Sequence, residues 1–132
     1  MEFPRNEIWE RKAYESLIKE GKLKVFFRPG NRICDSNKKK CFIKGEEVKI
    51  RVLEKPGDDD RNIKPVFSNL VRKAVIEELK VVDISSLKEE DFIDSYPNVK
   101  DPKSLAYHLA LIYNKNPNEF REVTKIKIKY LD

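Results

Sequence analysis

The sequence predicts an α+β fold: a small, mainly antiparallel β-sheet curled into a barrel, with helices at its ends. Three observations predict it. Residues 47–55 and 122–131 alternate with period two, Val48, Ile50 and Val52 against Lys49 and Arg51, then Val123, Ile126, Ile128 and Tyr130 against Thr124, Lys125, Lys127 and Lys129. Residues 70–84 are rich in Val and Ile and read as one long, bent strand. Few helical patterns fall between successive strands, whereas a doubly wound parallel sheet needs a crossover helix for each parallel pair.

The elements follow in order. Residues 6–20 have Ile8, Trp9, Ala13, Leu17 and Ile18 near helical spacing, with Asn6 as cap and Gly21 as left-handed stop. The stretch KLKVFFR at 22–28 reads as a strand that Pro29-Gly30 ends. Residues 30–40 form a polar loop, and Lys44-Gly45-Glu46 a turn into the strand 47–55. The segment PGDDDRNIKPVFSN, 56–69, is a long turn-rich loop. After the long strand, 86–95 reads as a short acidic helix capped by Ser85 or Ser86. A better helix runs from Asp101 or Ser104 to about Tyr113, with Leu105, Leu109 and Ile112 apolar. The last strand closes the domain, and no internal repeat is present.

Composition narrows the classes. The chain has 132 residues, enough for one domain that buries a core without staples. Charged residues make up 39%, but both signs are mixed and there are one Trp, five Tyr and seven Phe, so the chain reads as folded rather than disordered. No apolar run approaches the ~18 residues of a membrane span. The N-terminus lacks the apolar core of a secretory signal, so a cytoplasmic protein is expected. The Lys-, Glu- and Ile-rich composition without Gln is of a kind common in hyperthermophile proteins.

Charge is uneven. Residues 22–55 hold eleven Lys and Arg against four acids, a local +7 in a chain of net +5. Residues 83–101 hold six acids against Lys88 and Lys100. The run from Arg28 to Lys44 therefore reads as a binding surface for an anionic partner. Phe26 and Phe27 interleave with Arg28 and Arg32, and such pairs bind phosphate and stack on unpaired bases.

Other chemistry finds less support. One histidine, His108, excludes a multi-histidine metal site, and it reads as structural. Cys34 and Cys41 do not have zinc spacing. They read as two reduced, half-buried small hydrophobes, with a disulfide across a hairpin as the alternative. Asp58-Asp59-Asp60 reads as a solvated acidic loop. There is no phosphate-binding glycine motif, and no cofactor or metal is expected.

Residues 22–131 resemble the ASCH domain of the PUA-like superfamily. Gly30-Asn31-Arg32-Ile33-Cys34-Asp35 is similar to the family's G-x-K-x-x-E motif, with Arg for Lys and Asp for Glu. Lys44 to Ile50 resembles its glycine-led turn into a barrel strand. Leu87-Lys88-Glu89-Glu90-Asp91 resembles its L-T-E-E-D segment, and Leu105–Tyr113 with Glu122–Ile126 its closing helix and strand. The resemblance implies a PUA-like barrel over 22–132 with residues 1–21 as an N-terminal helical extension. It also implies RNA binding in a cleft beside the Gly30–Asp35 loop. Arg28, Arg32, Lys38, Lys39, Lys40 and Lys44 would then contact phosphate. Asn31 and Asp35 would line the cleft, and Ser68 and Asn69 would add polar contacts. A second implication is an amidohydrolase for an acylated nucleoside such as N4-acetylcytidine. Its Lys, Thr and Glu would fall on Arg32, on Asp35 and near Asp94 or Ser95, and arginine cannot serve as a base. A third expectation is a protein adaptor that docks a basic partner on the acidic 83–101 stretch.

Overall fold

The computed structural model describes residues 6–34 and 41–131. It contains five strands, β1 (Glu7–Arg11), β2 (Val25–Pro29), β3 (Glu47–Lys55), β4 (Val66–Asp83) and β5 (Glu122–Tyr130). Two α-helices, α1 (Glu15–Lys19) and α2 (Pro102–Tyr113), join several 3-10 turns. The strands form one sheet in the order β1-β3-β4-β5-β2. Every pair is antiparallel except β1 with β3. The sheet curls into a half-barrel that stays open along one side, so the expected barrel is present in its open form. Among the described residues no helix is long and apolar enough to cross a membrane.

β4 is the spine. Its first half pairs with β3 and its second half with β5. Register shifts near Arg51/Leu53 and Ile76/Glu78 mark where its 18 residues bend. This is the long, bent strand expected at 70–84, begun four residues earlier. The concave face carries Val48, Ile50, Val52, Ala74, Ile76, Ile126 and Ile128, all buried. α2 covers that core with Leu105, His108 and Leu109, one face at i, i+3, i+4 spacing. Asp101 caps the helix by accepting the Ser104 N–H at 2.7 Å, and Asn114 ends it in the left-handed region.

Three expectations change. The helix expected over 6–20 is helical only from Lys12, as a 3-10 turn Lys12–Tyr14 and then α1; its first half is β1, an edge strand of the same sheet. Ile8 and Glu10 face inward, 1% and 3% exposed. Because one inward position is a glutamate, the period-two pattern is hidden in the sequence. The acidic helix expected at 86–95 is instead two 3-10 turns, Ile84–Ser86 and Glu89–Phe92. Asp83 and Asp91, not the serines, accept the leading N–H groups. The strand expected from residue 22 begins at Val25, and the Lys24 and Val25 N–H groups both go to the Asp94 carbonyl.

The open side is bridged by side chains. β1 and β2 are the two edges of the sheet, yet Arg28 on β2 reaches β1. Its Nη2 donates to the Trp9 carbonyl at 2.9 Å and to Glu10 Oε2 at 2.8 Å. Its Nη1 donates to the Phe27 carbonyl and to Tyr96 Oη, both at 3.1 Å. Tyr96 in turn donates to Glu10 Oε2 at 2.8 Å. Burial works against the Arg28 charge, but the Glu10 carboxylate beside it raises its pKa overall. Burial and the same carboxylate push the Tyr96 phenol well up. His108 stacks on Tyr96 with ring centroids 4.5 Å apart, so its reading as structural agrees with its place in the core.

Removing one partner of a buried pair leaves the other charge uncompensated, which costs about 3–5 kcal/mol. Glu10→Leu is expected to lose stability on that scale in urea unfolding. The double variant Glu10→Leu/Arg28→Met should regain much of it, and a single-variant loss under 1 kcal/mol would show that the clamp does not hold the edges. His108 gives a second expectation. Burial, then the nearby Arg11 and Arg28 charges, lower its pKa to about 4 from an ordinary 6.5. The unfolded chain therefore binds this proton first, so stability falls as pH drops from 6.5 towards 4. A His108→Phe variant should show a shallower fall over that window in pH-dependent denaturation.

Candidate functional site

The peptide after β2 is pinned from below by one buried hydroxyl. Thr124, fully buried on β5, donates to the Gly30 carbonyl at 2.7 Å and accepts the Arg32 N–H at 2.8 Å. Gly30 sits at φ +76°, where a side chain is strained, and its N–H bonds the Glu122 carbonyl at 2.8 Å. Arg32 then turns outward, its Nε donating to the Pro29 carbonyl at 2.9 Å. That bond fixes the direction of the guanidinium and leaves its terminal nitrogens for other partners.

Pro29, Gly30 and Arg32 form one wall of an open groove of about 520 Å³. The opposite wall is the connection from α2 to β5. It contributes Tyr113 at the end of α2, then Lys115, Glu119, Phe120, Arg121 and Glu122. Local turns hold this wall. Asn114 reverses the chain, and Asn116 caps the 3-10 turn Pro117–Glu119 by accepting the Asn118 N–H at 2.9 Å. Glu119 Oε2 accepts the Asn116 N–H at 2.9 Å. Phe120 is buried behind Tyr113, ring centroids 6.4 Å apart, while Tyr113 keeps 36% of its surface exposed.

Three cations, Arg32, Lys115 and Arg121, thus converge on one groove with Glu119 and Glu122. Among the described residues, none of these five side chains forms an ion pair. The buried Lys125 on β5 differs: it binds Asp91 at 3.0 Å and lies 3.5 Å from Glu78. Arg121 also acts on Asp83 and holds its carboxyl down, after the Ser85 hydrogen bonds. Three cations outside ion-pair distance of a carboxylate, beside an exposed aromatic ring, suit an anionic, stacking ligand.

The sequence-predicted residues divide. Arg32 lines the groove as expected. Arg28 does not: its donors are committed to the Glu10 clamp, so its expected phosphate contact is withdrawn. Asn31 is exposed, its Oδ1 accepting the Ile33 N–H at 2.9 Å. Lys44 is exposed two residues past Phe42, which bonds both Arg32 and Cys34. Asp35, Lys38, Lys39 and Lys40 lie outside the described residues. Ser68 and Asn69 sit on the half of β4 that pairs with β3, roughly 45 Å of strand path from Asp83 at the groove end. They do not join the site.

Of the hydrolase residues, Asp35 lies outside the described residues, and Arg32 and Asp94 lie towards opposite ends of β2. The Asp94 carbonyl bonds Lys24 and Val25 at the start of β2, and Ser95 bonds the Val25 carbonyl, whereas Arg32 follows the other end of that strand. The acidic stretch is partly internal as well. Asp91 binds Lys125, Asp83 caps the 3-10 turn Ile84–Ser86 and Asp101 caps α2. Sequence reasoning missed Tyr113, Lys115, Phe120 and Arg121. The available signal was a turn-rich NKNPNEFR stretch that interleaves aromatic and basic residues as 26–32 does.

Cys34 and Cys41 are not reduced small hydrophobes. They form a disulfide across seven residues of sequence. The pairing follows from a parallel bridge between Ile33 and Phe42, in which Phe42 N–H bonds the Arg32 carbonyl at 2.7 Å and Cys34 N–H bonds the Phe42 carbonyl at 2.9 Å. Closing so short a loop contributes about 2 kcal/mol by restricting the unfolded chain. Cys34→Ser/Cys41→Ser should lower stability by that amount in urea, and addition of a thiol reductant should lower the wild type, but not this variant, to the same level.

No family model matches the chain, and no curated protein matches its sequence. The fold is similar to a solved structure, the hypothetical protein PH0355. The TM-score is 0.55 at 20% identity, over 95% of this chain and 97% of that one. At that identity the likeness concerns the fold alone.

Proposed function

We propose that the protein binds single-stranded RNA in the groove between the Gly30–Arg32 turn and the α2–β5 connection. The observation that carries this reading is the convergence of Arg32, Lys115 and Arg121, without ion-pair partners among the described residues, around the exposed Tyr113 ring. Phosphates would pair with the three cations and a base would stack on Tyr113. The +7 charge of residues 22–55 and the resemblance to ASCH domains support the same reading. Lys44 and the run Lys38, Lys39 and Lys40 would extend the phosphate contacts along the strand, with Asn31 and Asp35 offering polar contacts beside them.

Salt tests the reading. On single strands each neutralised phosphate steepens the fall of log K against log salt by ~0.7. Binding of a short single-stranded RNA pool should weaken steeply between low and physiological salt. Arg121→Ala should weaken binding and make the slope shallower by ~0.7. Affinity that is flat in salt, or a slope that Arg121→Ala leaves unchanged, would place the binding surface elsewhere or remove it.

A further inference from the structure

Phosphate contacts account for the three cations of the groove but not for Glu122. Its backbone is doubly fixed, opposite Asp83 in the sheet and with its carbonyl accepting the Gly30 N–H at 2.8 Å. Its side chain is exposed on the groove and, among the described residues, has no hydrogen-bond or ion-pair partner. The neighbouring Glu119 differs, because one of its oxygens already holds the Asn116 N–H. A ligand read through phosphate alone would be repelled by such a carboxylate. A ligand with two adjacent N–H donors would be bound by it, since a carboxylate offers two parallel acceptors.

Among the four RNA bases only guanine has that edge. Its N1–H and 2-amino group stand side by side. Adenine and cytosine each pair a donor with an acceptor, and the single N–H of uracil lies between two carbonyls. This edge is open only when the base is unpaired. Tyr113 supplies the stacking face and the groove volume of about 520 Å³ suits one nucleotide.

We propose that the groove selects an unpaired guanine, with Glu122 reading its Watson–Crick edge while Arg32, Lys115 and Arg121 hold the flanking phosphates. The proposal rests on the RNA-binding reading above. The test uses three labelled oligoribonucleotides in fluorescence anisotropy: all-uridine, the same with one central guanosine, and the same with inosine, which keeps N1–H and lacks the 2-amino group. The guanosine oligomer should bind about tenfold more tightly than all-uridine, the usual scale for a bidentate base contact, with inosine between them. Glu122→Gln should bind all three alike with its salt slope unchanged. Salt-sensitive binding without a guanosine preference in the wild type overturns this proposal and leaves RNA binding standing. A preference that survives in Glu122→Gln overturns the role of Glu122. No binding of any oligomer at low salt overturns both readings.

Discussion

One guanidinium holds the two free edges of this sheet together. A five-stranded sheet in the order β1-β3-β4-β5-β2 has unpaired backbone groups on β1 and on β2. A closed barrel would satisfy them with a ladder. Here Arg28 takes the place of the ladder by donating to the Trp9 carbonyl and to Glu10. Its fixed fork suits that task, because one nitrogen reaches the backbone and the carboxylate while the other reaches Tyr96 and its own strand. A buried charge pair is poor evidence of net stability, but it specifies which edge meets which. His108 stacks on Tyr96 behind it, and the Tyr14 ring packs tilted against both.

The clamp also explains the site. Arg28 turns inward and the chain reverses at Pro29-Gly30, so Arg32 is the first basic residue of that run to face the groove. Thr124 then sets its height, and the α2–β5 connection brings Lys115 and Arg121 to the other side. Basic residues four positions apart thus have opposite fates, one in a buried clamp and one at a binding surface.

Much of the fold was legible in the sequence where polarity alternates cleanly. β3 was so, and β5 from Ile126 to Tyr130, while α2 was marked by Asp101 and by Leu105 and Leu109. β1 was not, because its two inward positions are Ile8 and Glu10, and a buried glutamate reads as surface until its partner is known. Half of the site was legible. The Gly30–Arg32 turn stood out by charge and glycine, and the cleft beside it is where a groove lies. The opposite wall is built by turns at Asn114 and Asn116, whose folding back on the first wall is a tertiary fact. The Cys34–Cys41 bond was equally beyond spacing alone, since it depends on the Ile33–Phe42 bridge.

β2 has a single ladder partner, β5, almost a hundred residues later in the chain. During synthesis the Phe26-Phe27 pair therefore emerges long before the strand that will cover its backbone. Such distant pairing is slow to form and leaves apolar surface open to aggregation meanwhile. The basic residues on either side of that pair, Lys22 and Lys24 before it and Arg28 and Arg32 after it, keep growing chains apart by charge repulsion. Arg32 thus stands both in the groove and on the charged flank of that apolar pair.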